Sequence, residues 1–343
     1  MHVNNAYQKR TRKRFGTALG LLLGIGIFLW LSLISGSNGV VLTDTFKLFT
    51  CKDSLHIIVE AIRLPRALGA LLVGMLLGLS GVAMQGVLRN PLASPFTLGI
   101  SQAAGFGASL AIIVFQPDTL QNPFLAKFSI ALSAFGISML CTLFILWVGK
   151  KVGMSPTSLI LAGVGLGSLF HSGTMFLQYF TDEINAAATL FWTFGDLSKA
   201  TYPILWILLA IFIPSLLILW TSHWKFDALG FGDESAFNKG VNINVFRALV
   251  LLFSALCTAI AVAFFGIIGF IGLVAPHLVR LSLGNAHAAL IPLSALSGGL
   301  LLLGADWCAR MMIHPISVPV GILTSFIGAP VLLFLLIHGR KIR

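Results

Sequence analysis

The sequence predicts an all-α, polytopic membrane protein with about ten transmembrane helices of roughly 20 residues each. Three observations carry this. Apolar residues fill 57% of the 343 positions and charged residues only 10%, whereas a soluble domain carries about 25% charged residues to cover its surface. Nine stretches of more than 20 residues contain no Asp, Glu, Lys or Arg: 15–43, 67–88, 90–117, 128–149, 152–181, 200–224, 248–279, 281–305 and 311–339. Both ends of the chain are basic, as the positive-inside bias demands of an even number of crossings. Soluble enzymes, nucleic-acid binders and secreted disulfide scaffolds are excluded by this composition. The net charge of +11 therefore reads as topology.

The elements follow in order. Lys9, Arg10, Arg12, Lys13 and Arg14 form a basic cytoplasmic tail, residues 1–14, ahead of one permeating domain, 15–343. The first apolar stretch is longer than a signal-peptide core and lacks an A-x-A site, so it reads as a retained helix. An outer connection runs from about Ser37 to Ile62. The stretch 248–279 has 32 residues, about 48 Å as one helix, against a hydrocarbon core of about 30 Å. Gly266, Gly269 and Gly272 mark a break, with one helix ending near Phe265 and a short one running from about Ile268 to Leu283. In this topology the cytoplasmic side holds 15 of 22 basic residues: the N-terminal five, Arg89, Lys150, Lys151, Lys225, Lys239, Arg247, Arg280, Arg340, Lys341 and Arg343. Asp44, Asp53, Glu60, Asp118, Asp182, Glu183, Asp196 and Asp306 fall on the other side. SPTSLILAG (155–163) and SVPVGILTS (317–325) are weakly alike, and as inverted copies they would run antiparallel.

Chemistry-bearing groups are scarce. Cys51, Cys141, Cys257 and Cys308 show no CxxC spacing, so neither a disulfide framework nor a metal site is expected. A proton relay needs ionisable groups at depth. Only His171, His277, Gln85 and Gln178 fall there, and helix-to-helix hydrogen bonding explains such residues. Glycine pairs such as Gly74 with Gly78 and Gly163 with Gly167 permit close helix approach. GVGLGS (163–168) lacks the third glycine of a dinucleotide fingerprint, and no GxxxxGK[ST] occurs, so the chain carries no recognisable ATP site. The most polar internal stretch is 223–244. Within it, Gly230 and Gly232, then Asp233 and Glu234, Lys239 and Gly240 outline a short surface helix with acids at its start and a glycine past its end. A partner that supplies energy is implied.

Seven segments then resemble, in order, the permease subunits of type II ATP-binding-cassette importers for iron–siderophores, haem and cobalamin. They are RLPRALGALLVGMLLGLSGVAMQGVLRNPLASPFTLGI (63–100), LILAGVGLG (159–167), FWTFGDL (191–197), LGFGDESAFNKGV (229–241), GFIGLVAPHLVR (269–280), GADWCAR (304–310) and PVGILTSFIGAPVLLFLL (319–336). The resemblance implies ten helices per subunit and a dimer with a second copy or paralogue in a bacterial or archaeal inner membrane, with both termini cytoplasmic. It also implies two ATPase subunits that carry ATP and Mg, a substrate-binding protein outside, and no catalysis or cofactor in this chain. By the same resemblance Leu229, Gly230, Gly232, Asp233, Glu234, Ser235, Ala236, Lys239 and Gly240 couple to the ATPases. Arg63, Arg66 and Arg310 dock the binding protein, and Ser155, Pro156 and Thr157 form a cytoplasmic gate. A Ser-Pro at a helix start is equally a routine cap, and Arg310 can pair locally with Asp306. The expected cargo is an iron–siderophore chelate, with haem or cobalamin as alternatives. An ion-coupled carrier is the rival from another class.

Overall fold

In lipid, backbone polar groups must be satisfied within each segment, so apolar stretches of this length become helices. The computed structural model describes residues 2–36, 39–40, 57–116, 123–313 and 316–338. Cys51, Asp44, Asp53, Asp118, Arg340, Lys341, Arg343 and most of the connection expected at 37–62 lie outside the described residues.

The helices are α1 (His2–Ile34), α2 (Leu64–Val87, entered through a wide turn at Val59–Arg63), α3 (Ile100–Leu110, left through a wide turn at Ala111–Phe115), α4 (Pro123–Lys151), α5 (Pro156–Tyr179), α6 (Glu183–Thr193), α7 (Tyr202–Thr221), α8 (His223–Gly230), α9 (Asp233–Asn238), α10 (Ile243–Phe265), α11 (Ile271–Leu283), α12 (His287–Met311) and α13 (Val320–His338). After α1, Ser35–Gly36 pairs with Gly39–Val40 in a small antiparallel ribbon. Among the described residues, seven helices are long and apolar enough to cross a membrane, and three shorter apolar helices lie at Ile100–Phe115, Ile271–Leu283 and Val320–Phe334.

Most boundaries stand where the sequence places them. α10 stops at Phe265 because Gly266 takes a φ of 76° that continues no helix, and α11 begins after Phe270, itself at φ 66°. Three boundaries differ from expectation. α1 starts thirteen residues before Phe15 because nothing between His2 and Phe15 breaks a helix; the basic tail is the first turns of α1 rather than a separate segment. The stretch 90–117 is not one helix: Asn90–Gly99, with Pro91 and Pro95, is a chain of turns, and helix resumes only after Gly99 at φ 74°. Residues 223–244 hold two helices, α8 and α9, not one.

α2 is the hub, packed on α12, α10, α11 and α7. Glycine makes this possible. A Cβ on Gly74 would overlap the Gly298 carbonyl oxygen, and one on Gly81 the Gly272 carbonyl oxygen. Gly163 of α5 likewise meets the Leu98 backbone at 2.6 Å from its Cβ direction. Ser80 Oγ donates to the Ser254 carbonyl at 2.8 Å, and Gln85 Nε2 to the Gly272 carbonyl at 3.3 Å, so Gln85 does link helices. His171 instead stands on the exposed face of α5. Large apolar side chains point outward, among them Leu132, Trp147, Leu161, Phe176 and Trp206, the arrangement expected where lipid is the solvent. α5 and α13, which contain most of the two weakly similar segments, each pack on a short helix, α3 and α11 respectively.

Candidate functional site

Charge collects at the two ends of the bundle. At one end α1 and α12 finish and α2 begins. Asp306, fully buried in α12, accepts from Arg66 Nε and Nη2 at 2.9 Å each and from Arg310 Nε at 3.1 Å. Arg310, one helical turn from Asp306, also approaches the Ser32 carbonyl at 3.4 Å, and Arg63 donates to the Leu33 carbonyl at 2.7 Å. The free carbonyls at the end of α1 are thus met by cations, which a helix C-terminus favours. The three arginines expected to form one rim do converge. Arg66 and Arg310 expose only 14% and 12% of their side chains, because Asp306 holds them inward. Between α5 and α6, Asp182 caps α6 by accepting from the Asn185 amide at 2.9 Å; that bond, with a second from the Asn185 side chain, holds its carboxyl below the usual carboxylate range.

The opposite end carries α8, α9 and the α4–α5 turn. Gly232, at φ 111°, lets the chain enter α9, and Gly240, at φ 80°, lets it leave. Leu229 and Ala236 are buried, anchoring the pair of short helices. Glu234 and Lys239 are exposed, Ser235 and Gly230 flank them, and the Lys239 ammonium lies 5.3 Å over the Phe231 ring. Asp233 is half-exposed, and its carboxylate meets the buried Arg247 at 2.9 Å and Arg89 at 3.3 Å. On the other flank Asp227 of α8 accepts from the His287 amide at 3.0 Å, with the His287 ring Nδ1 at 2.7 Å. Ser155 caps α5 by accepting from the Ser158 amide at 3.1 Å, Pro156 opens the helix, and Thr157 is exposed. Among the described residues no three His, Cys, Asp or Glu side chains gather as a metal site.

Sequence reasoning missed two things here. Arg247 and Arg89 read only as topological charge, and Phe231 and Phe237, 78% and 71% exposed, were not singled out. The sequence held little signal for the phenylalanines, since the same polar stretch also contains Trp224, Phe226 and Leu229, and Phe226 and Leu229 are buried.

The FecCD transport family matches residues 23–338 of this chain. The chain belongs to that family. A FecCD relative in Methanocaldococcus jannaschii, named as an ABC transporter permease, is 46% identical over 84% of this chain and 84% of its own length. The haemin transport permease of Yersinia pestis is 36% identical over 94% of this chain and 97% of its own. A solved inward-facing structure, titled as a metal-chelate type ABC transporter, superposes with a TM-score of 0.82 at 30% identity, covering 93% of this chain and 98% of that one. As a FecCD permease the chain is non-catalytic, and ATP hydrolysis belongs to a separate subunit.

Proposed function

We propose that this chain forms half of the membrane pathway of an ATP-driven importer, that its cargo is an iron–siderophore chelate, and that the ATPases dock on α8 and α9. The observation that carries the docking assignment is the outward face of α9. Phe231 and Phe237 stand open beside Glu234 and Lys239, and an exposed apolar patch rimmed by charge is the usual mark of a partner surface. The same end carries Arg89, Lys150, Lys151, Lys225, Lys239, Arg247 and Arg280, which supports a cytoplasmic position under the positive-inside bias. The first turns of α1 and the departing end of α13 also point that way, so both termini are assigned to the cytoplasm.

The Arg63, Arg66 and Arg310 rim then faces outward, where carboxylates of a binding protein would meet it. A second permease, identical or paralogous, completes the pathway, and Ser155, Pro156 and Thr157 narrow its inner mouth. ATP binding favours one arrangement of the α8–α9 face over the other, and that difference in affinity drives the switch. Iron chelate is preferred as cargo because the superposed transporter is titled for metal chelates; the haemin relative keeps haem as the second reading. The test is Phe231→Asp with Phe237→Asp. The chain should insert normally and lose co-purification of the ATPase; retained ATPase would refute docking at α9.

A further inference from the structure

Arg247 is 2% exposed and lies near the start of α10, just past its first turn, where its guanidinium reaches three other elements. Nη2 donates to both carboxylate oxygens of Asp233 on α9 at 2.9 and 3.0 Å. Nη1 donates to the Met154 carbonyl in the α4–α5 turn at 3.2 Å, and Nε to the Val87 carbonyl at the end of α2 at 3.4 Å. Met154 immediately precedes Ser155, Pro156 and Thr157. Between α9 and that turn opens a cleft of about 470 Å³, lined by Gly153, Asp233, Phe237, Gly240 and Arg247 among others. The two segments are therefore set apart by space and joined across it by Arg247. The turn itself holds Gly153 at φ 84° and Met154 at φ 53°. A non-glycine residue keeps that conformation only when its surroundings impose it, and the Arg247 bond to the Met154 carbonyl is one such restraint.

We propose that Arg247 is the positioning residue that carries displacement of α9 to the α4–α5 turn, so that ATPase movement reaches the inner mouth of the pathway through one guanidinium. This rests on the assignment of α9 as the docking surface. The physical basis is that a guanidinium this deeply buried is strongly disfavoured without its carboxylate. A shift of α9 that moves Asp233 must then draw Arg247 along, and Arg247 draws the Met154 carbonyl. Arg89 shares Asp233 from the half-exposed side and reinforces the clasp without contacting the turn.

The test uses the complete complex in liposomes, with spin labels at Val152→Cys and Asn238→Cys in a chain whose native cysteines are replaced by serine. With Arg247 present, the label-to-label distance should be the same with and without ATP, because turn and helix move together. In Arg247→Gln the distance should change on ATP addition, and stimulation of ATP hydrolysis by the binding protein should fall about tenfold, within the usual range for coupling between sites, while the ATPase still co-purifies. Arg247→Lys should recover part of the stimulation. If Arg247→Gln fails to insert, Asp233→Asn, which leaves both carbonyl bonds in place, is expected to give the same two changes. An Arg247→Gln or Asp233→Asn complex with unaltered distances and unaltered stimulation overturns the proposal. Failure of the docking assignment is seen separately, as normal ATPase association in the Phe231→Asp, Phe237→Asp chain.

Discussion

Asp306 holds the rim together. It is fully buried between Arg66 and Arg310, so Asp306→Ala leaves two largely buried cations without their carboxylate. Breaking a buried pair costs about 3–5 kcal/mol, and the expected outcome is a markedly lower thermal midpoint in detergent with poor yield. This geometry also decides which arginine can report on binding-protein docking. Arg66→Glu would set a second carboxylate against Asp306 and damage the fold, so a loss of docking there is ambiguous. Arg63 is half-buried and donates to the Leu33 carbonyl, while the bonds that Asp306 accepts from Arg66 and Arg310 do not depend on it, which makes Arg63→Glu the cleaner variant. It should insert normally and slow association of the binding protein, most strongly at low ionic strength; association rates unchanged across salt concentrations would remove Arg63 from the docking surface. None of this was legible in the sequence beyond the i, i+4 spacing of Asp306 and Arg310. A charge near a helix end looks the same whether it is buried against a distant partner or open to water, and the contact of Arg66 with Asp306 spans 240 positions.

At the level of elements, glycine content reports on packing, and the positions differ sharply in what they tolerate. Gly81 faces the Gly272 backbone so closely that any Cβ collides, whereas Gly16 and Gly26 of α1 meet nothing within 4 Å. Gly81→Ala should therefore separate α2 from α11 and abolish monodisperse protein in size-exclusion chromatography. Gly16→Ala and Gly26→Ala should elute as the parent does. Helix existence and most boundaries were readable because lipid enforces one secondary structure and because Gly266, Pro156 and the charges between stretches mark the ends. The split after Arg89 was partly readable: Asn90–Gly99 is less apolar than the helices around it, and its two prolines and Gly99 fit an interrupted helix, but no charge separates it from the stretch that continues to 117. α9 was readable as a helix but not by face. With six residues, Asp233–Asn238, it is too short for periodicity to show that Asp233 reaches back to Arg247 and Arg89 while Phe237 stands open. That distinction alters the meaning of a charge reversal. Asp233→Lys would disrupt the clasp with Arg247 and Arg89, and Glu234→Lys would test the exposed surface alone.

For the whole molecule, the distribution of polarity favours a passive conduit. Outward faces are apolar, and Asp306 at one end and Asp233 at the other are engaged with arginines in clasps that tie helices together. An ion-coupled carrier needs a titratable or ion-coordinating site at depth. Among the polar residues expected there, Gln85 bonds across helices and His171 faces outward, whereas the helix-to-helix bond expected of His277 is not made by its Nε2, which is buried with no hydrogen-bond partner. Membership of the FecCD family fixes the class of machine. The most direct measurement reconstitutes the chain with its ATPase and binding protein in liposomes and follows entry of a radiolabelled ferric hydroxamate chelate. Entry should require ATP and stop when the ATPase is replaced by a hydrolysis-dead variant. Entry that persists with the dead ATPase, driven by an imposed proton or sodium gradient, would contradict the passive, ATP-powered pathway.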